Sequence, residues 1–203
     1  MNDGSSTFTK VYQFYITLDY IEPSVWRRVQ VPANYTFWDL HVAIQDAMGW
    51  DDCHLHQFEI KNPETGFKEH IGIPNDGFDF MAQPLAGWES DLQEYFVDAN
   101  VAGQYEYDFG DGWVHKVVLE KIVEVQSDKK YPICLDGERA CPPEDCGGFP
   151  GYERIVEIIK NPHDEEFDET MAWLGGEYDP EVFASDIHFT DPKKRLKELF
   201  EED

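Results

Sequence analysis

Polar and apolar residues alternate along "VYQFYITLDY": Tyr12, Phe14, Ile16, Leu18 and Tyr20 fall on one side, Gln13, Thr17 and Asp19 on the other. A period of two marks a strand with one face buried. After a turn at "IEPS", "VWRRVQVP" supplies a second strand, and so short a connection makes the two an antiparallel pair. The period then changes. Thr36 and Asp39 have the spacing of a capping box, Phe37, Leu40, Ile44, Ala47 and Met48 recur at helical intervals, and Gly49 supplies the stop. "HLHQFEI" returns to strand alternation, so the chain up to residue 60 reads ββαβ.

Residues 61–102 signal more weakly: "GFKEHIGI" suits a strand, and "DLQEYFVDA" a short helix or an irregular segment. The stretch "YDFGDGWVH", residues 107–115, sets Gly-Asp-Gly between two aromatic runs. A two-residue Asp111-Gly112 turn would place Asp108 opposite His115. A three-residue loop of Gly110, Asp111 and Gly112 would instead pair Phe109 with Trp113, Tyr107 with His115 and Glu106 with Lys116. The second register gathers Tyr105, Tyr107, Phe109, Trp113, Val117 and Leu119 on one face and forms a cross-strand ion pair on the other, so it is the one expected. It makes Gly112 left-handed, puts His115 on the aromatic face and turns Asp108 away from it.

Residues 127–150, dense in Pro, Gly and Cys, read as a long irregular loop of the kind that is functional or pinned. Three helices follow. "GYERIVEIIKNP" carries Tyr152, Ile155, Val156 and Ile159 on one stripe, "DEEFDETMAWLGG" has acids in its first turn, and "DPKKRLKELF" starts with Asp191 as cap and Pro192 first. Lys193, Lys194 and Arg195 then stand where the helix dipole disfavours cations, and nearness to the acidic 164–169 turn is expected to offset this.

The pattern predicts an α+β fold: a mostly antiparallel sheet with helices packed on one face, plus a C-terminal helical annex. Residues 1–9 read as a disordered lead-in, 10–162 as the α+β domain and 163–203 as an acidic helical extension packed on it. With 203 residues, 41% of them hydrophobic, the chain can bury a full core without disulfide staples. It has neither an apolar run of membrane-spanning length nor a signal-peptide start, which leads to the expectation of a soluble cytoplasmic protein. Sixteen basic against 42 acidic residues, a net charge of −26, oppose approach to nucleic acid or an anionic membrane. The expected partner is a protein or a small ligand.

Candidate chemistry sits at three places. His54 and His56, two apart in a predicted strand, leave the same face, a spacing that suits two ligands of one metal ion; Phe58 and Ile60 continue that face, and packed core-edge histidines are the commoner outcome. Cys134, Cys141 and Cys146, spaced C-x6-C-x4-C among Asp136, Glu138, Glu144 and Asp145, could close a zinc site, pack the loop as thiols or form a redox disulfide. The turn contributes Asp108, Asp111 and His115. The metal candidates, for zinc or another divalent ion, are thus His54, His56, His115, Cys134, Cys141 and Cys146. Asp108 and Glu144 are the candidates for a catalytic carboxylate, and Tyr107, Asp108, Asp111, Trp113 and His115 for a binding surface. The DFG lacks the remaining kinase motifs, no EF-hand acid pattern is present, and nucleophile-elbow, Walker and dinucleotide patterns are missing.

"VWRRVQVP", the helix ending "AMGW", "HLHQFEI", "YDFGDGWVH", "CPPEDCGG" and "GYERI" occur in an order that resembles the plasmid pRiA4b ORF-3-like family over about residues 10–160. The motif positions are Trp26, Arg27, His54, His56, Tyr107, Asp108, Gly110, Asp111, Trp113, His115, Cys141, Pro142, Pro143, Glu144, Asp145, Cys146 and Gly147. The resemblance implies an α+β domain and brings no mechanism. The transposon-resolvase label that some members carry is not matched here, because a serine recombinase needs a nucleophilic serine among arginines and a basic DNA-binding region. Three functional readings follow. A non-enzymatic binding or accessory module working through the 107–115 turn and the Cys-rich loop ranks first, because no catalytic set is complete. A metal-dependent hydrolase with His54, His56 and His115 as ligands and Asp108 or Glu144 as base comes next, then an acidic decoy for a basic nucleic-acid-handling protein.

Overall fold

The computed structural model describes residues 8–74, 83–176 and 178–201, so most of the predicted lead-in lies outside the described residues. Among the described residues there are eight strands: β1 (Lys10–Leu18), β2 (Trp26–Pro32), β3 (His56–Lys61), β4 (Lys68–Gly72), β5 (Leu85–Ala86), β6 (Ala102–Tyr107), β7 (Trp113–Glu124) and β8 (Ile133–Glu138). The helices are α1 (Phe37–Met48), α2 (Leu92–Tyr95), α3 (Gly148–Ile159), α4 (Phe167–Trp173) and α5 (Pro192–Glu201). The strands form one sheet in the order β5-β4-β3-β6-β7-β1-β2-β8, antiparallel throughout except between β4 and β5. This is the α+β fold that the periodicities predict.

Alternation decides which face is buried. Tyr12, Phe14, Ile16 and Leu18 of β1, Val29 and Val31 of β2, Phe58 and Ile60 of β3, Tyr105 and Tyr107 of β6, and Trp113, Val117 and Leu119 of β7 all belong to one core. Helix α1 packs into that core. Its capping box is complete: the Asp39 N–H donates to the Thr36 hydroxyl at 3.2 Å, the Thr36 N–H donates to the Asp39 carboxylate at 3.0 Å, and Gly49 closes the helix at φ 89°. The ring of Phe37 lies 5.1 Å from that of Phe58 and 5.2 Å from that of Tyr95. Burying an aromatic of this size contributes roughly 1.5–3 kcal/mol. The opposite face is polar. Glu120 accepts two hydrogen bonds from Arg28, at 2.8 and 3.0 Å, and one from Gln13, which in turn accepts from Gln30.

The structure departs from the sequence reading at several points. Tyr20 leaves the alternation in a left-handed turn at φ 68° and is 75% exposed. The hairpin pairs Tyr107 with Trp113, Tyr105 with His115 and Gln104 with Lys116, two residues away from the predicted register. A shift of two preserves the buried face but removes the Glu106–Lys116 pairing and leaves Phe109 in the turn, 48% exposed. The predicted irregular loop contains β8, which hydrogen-bonds along β2; an unsatisfied sheet edge overrides a composition unfavourable to strands. In α3 it is Ile158, not Ile159, that joins Tyr152 and Ile155 in burial.

The cations of α5 do not meet the 164–169 turn. Arg195 instead donates to Asp46 of α1 and, at 3.1 Å, to Asp52 in the segment after it, while Lys194 pairs with Glu198 along its own helix. The acids near residue 164 are taken by Arg154, 3.1 Å from Asp164 and 3.4 Å from Glu166. Thr190 and the Trp38 indole, which donates to the Pro192 carbonyl at 2.9 Å, complete the seat of α5. Because Asp46 is nearly buried, removing its cation leaves a desolvated carboxylate. Arg195→Ala should therefore lower stability by about 2 kcal/mol and accelerate amide exchange across α5; unchanged exchange in α5 would show that the ion pairs do not hold it.

Candidate functional site

The site is built where β6 ends. Tyr107 is the last residue of that strand, and its ring stacks on Trp50 at 5.0 Å with the hydroxyl directed toward two other segments. That hydroxyl accepts the Cys53 N–H at 3.1 Å and donates to the Glu144 carboxylate at 2.9 Å. The Asp51 N–H donates to the same Glu144 oxygen at 2.9 Å, and the Trp50 indole donates to the Pro142 carbonyl at 2.9 Å. The segment after α1 and the Cys-rich loop are thereby tied to the end of the sheet.

The turn after Tyr107 joins the same assembly. Asp108 is left-handed at φ 53°, its N–H bonds to the Leu55 carbonyl, and its carboxylate accepts the Gly110 N–H at 2.9 Å, an Asx turn that shapes the tip. Gly112 is left-handed at φ 70°, as its place in the turn predicts. At the tip, Asp111 accepts the Gly147 N–H at 3.1 Å, and a Cβ on Gly148 would stand 2.4 Å from the Asp111 carbonyl oxygen. The turn and the Cys-rich loop therefore form one rim in backbone contact. His54 bridges them: its Nε2 is 3.0 Å from Asp145 and 3.7 Å from Asp108.

The environment shifts three of these groups toward their protonated forms. Burial, together with the Glu144 carboxylate, raises the Tyr107 phenol and fixes it as the donor of that bond. Burial also raises the Glu144 carboxyl, against the opposing pull of the Asp51 and Tyr107 hydrogen bonds, and raises the Cys53 thiol. One Glu144 oxygen, Oε2, is shielded from solvent and has no hydrogen-bond partner among the described residues.

The predicted histidines do not converge. His54 precedes β3 rather than lying in it, so its spacing from His56 no longer puts both on one face. His56 is buried and stacks on His41 at 3.4 Å, with neither ring nitrogen hydrogen-bonded among the described residues. His115 is fully buried, with Nδ1 3.1 Å from the Trp113 carbonyl and its ring edge-on to Trp50. Tyr107, Trp113 and His115 thus support the rim from beneath, while Asp111 lies on it and Phe109 is exposed in the turn. The thiols of Cys134, Cys141 and Cys146 are free; burial raises all three, that of Cys146 to about 12. Arg27 is buried, donating to the carbonyls of Ala47, Trp26 and Glu138.

Among the described residues, two ligand sets do converge within 4.8 Å: Cys53, His54 and Glu144, and His54, Asp108 and Asp145. Cys53 was absent from the sequence-derived candidates, although its adjacency to His54 in "DDCHLH" was a visible signal, and Asp145 was named there only as a motif position beside the cysteines. Also unforeseen is a buried network below the rim. His41 lies 2.8 Å from both the Tyr105 hydroxyl and Asp52, Gln45 donates to the same hydroxyl at 2.9 Å, and Arg195 completes the chain through Asp52. Burial alone would raise the Asp52 carboxyl, but His41 and Arg195 outweigh it and hold it below the usual range. Beside the rim, a cleft of about 420 Å³ is lined by Trp50, Pro142, Pro143, Glu144, Trp173 and Tyr178, among others.

Two outcomes test this geometry. Burial lowers His56 well below 6.5, with His41 adding to the effect, and lowers His115 to about 4. The unfolded chain therefore binds protons that the folded chain refuses, and stability is complete above about 6.5 and lost as pH falls toward 4. His115 alone should remove about 2 kcal/mol between pH 7 and pH 5, and urea unfolding that gives one free energy at both values would refute the burial of these rings. Gly112→Ala, with open space around its Cβ, should cost only the left-handed strain of about 1 kcal/mol. Gly148→Ala combines that strain with the clash at Asp111 and should cost clearly more; equal losses in thermal melts would mean that the rim is not in contact.

Comparison with known proteins agrees with this architecture. A crystal structure of a protein of unknown function, MM3350 from Methanosarcina mazei Go1, superposes with a TM-score of 0.82 at 45% identity, covering 90% of this chain and 100% of that one. The uncharacterized protein y4hQ of Sinorhizobium fredii is 34% identical over 171 residues, 83% of this chain and 84% of that protein. The model of the plasmid pRiA4b ORF-3-like protein family matches residues 10–186, beyond about residue 160 where the motif resemblance ends, and the chain belongs to that family.

Proposed function

We propose that this protein is a non-enzymatic binding or accessory module whose rim, formed by the 108–112 turn and residues 141–148, holds a protein partner or a small ligand. The observation that carries the reading is the pair of hydrogen bonds that holds the rim together beside an open cleft, Tyr107 to Glu144 from beneath and Gly147 to Asp111 at the tip. A surface held by backbone contacts from rigid strands is preorganised, which lowers the ordering cost of association. The cleft supplies aromatic and proline side chains with a single carboxylate, and Trp173 at its edge is 52% exposed. Phe109 adds an exposed apolar group in the turn. Apolar anchors with few polar groups are the usual composition of a recognition surface. A net charge of −26 makes nucleic acid and anionic membrane poor partners, and among the described residues no helix is long and apolar enough to cross a membrane.

Site-specific photo-cross-linking in cells tests the reading. A photoreactive residue at Phe109 should yield one discrete adduct, weakened at least about tenfold by Trp173→Ala. The same group at Phe67, exposed in the distant β3–β4 hairpin, should yield none. Equal labelling from both positions, or none from Phe109, would overturn the rim as the binding surface.

A further inference from the structure

We infer that Cys53, His54 and Glu144 form a binding site for a zinc-like divalent transition-metal ion, with the fourth position open to solvent. The ligand atoms of all three lie within 4.8 Å of one another. A tetrahedral zinc site holds its donors roughly 3.5 Å apart, so rotation of side chains on a fixed backbone closes the difference. Thiolate, imidazole and carboxylate together suit zinc or cobalt and not calcium or magnesium, which take oxygen ligands.

The spacing of the donors is fixed from the core. Cys53 and His54 are neighbours in the chain, and Glu144 arrives from the Cys-rich loop. The two segments are held at one distance because the Cys53 N–H and the Glu144 carboxylate share the Tyr107 hydroxyl, at 3.1 and 2.9 Å. Glu144 Oε1 is taken by Tyr107 and Asp51, whereas Oε2 is shielded from solvent and without a hydrogen-bond partner among the described residues. A desolvated oxygen with no donor is costly, and coordination would satisfy it. The Cys53 thiol is exposed and the His54 side chain is 29% exposed, so an ion can enter from solution.

Binding replaces protons. The Cys53 sulfur gives its proton to solvent and forms the metal–sulfur bond, while His54 binds through Nε2, its remaining ring hydrogen on Nδ1. Asp145, now 3.0 Å from Nε2, and Asp108 then lie beside the ion as oxygen acceptors that favour the cation. The inference goes beyond the binding-module reading, and metal titration and cross-linking from Phe109 report on the two separately.

The test is titration of the full chain with Zn²⁺ and Co²⁺. The protein should bind one ion per chain, and Co²⁺ should produce thiolate-to-metal charge-transfer absorption in the near ultraviolet. Cys53→Ser should abolish that absorption, and Cys53→Ser and His54→Ala should each weaken zinc binding at least about tenfold, with circular dichroism unchanged because both side chains are solvent-accessible. Cys134→Ser should alter neither signal. Absence of binding by the folded protein, charge-transfer absorption that survives Cys53→Ser, or its loss in Cys134→Ser would each overturn the site.

Discussion

A single hydroxyl sets the geometry of the rim. The Tyr107 ring is packed under Trp50 and buried, and only its oxygen reaches the boundary, where it accepts from Cys53 and donates to Glu144. A hydrogen bond to a carboxylate in such surroundings contributes about 1.5–3 kcal/mol, and losing it strands partners that are partly desolvated. The rigid sheet thereby dictates the positions of two loops whose own sequences specify no regular structure. Asp111 and Gly147 repeat the linkage one turn away, so the rim is held at two points rather than one.

Beneath the rim the core is polar where the candidate site begins and aromatic elsewhere. His41, Gln45, Tyr105 and Asp52 form a connected network, and His56 stacks on His41 without a hydrogen-bond partner among the described residues. Burying an imidazole this way demands the neutral form, which ties the integrity of the core to pH. Asp52 deserves its place in the network because it faces both ways: it accepts from His41 and from Arg195, and its left-handed backbone at φ 59° leads directly into Cys53. The C-terminal helix is therefore more than an annex, since it neutralises the carboxylate that fixes the segment carrying Cys53 and His54.

Much of the fold was legible in local pattern. Alternation in β1 as far as Leu18, the Thr36–Asp39 capping box and Gly49 depend on neighbours within a few residues, and each occurs as read. Register was misread because Asp108 enters a left-handed conformation stabilised by Leu55 and Gly110, partners that periodicity does not reveal. Strand β8 escaped notice for a similar reason, as its hydrogen bonds go to β2, about a hundred residues earlier in the chain.

The residues of the rim were named in advance as types, Asp108, Asp111, Glu144 and His54 among them, because carboxylates and imidazoles beside glycines mark chemistry wherever they occur. The amino-acid order by itself determined the buried face of the central strands, the ends of α1 and the acidity of the chain, all of which follow from short-range sterics and from counting charges. Only the folded chain decided that His54 leaves His56 for Cys53 and Glu144, that the three loop thiols remain unbridged, and that Arg195 bonds to α1. Those pairings join segments brought together by burial of the aromatic face, and distance through space is not encoded in distance along the chain.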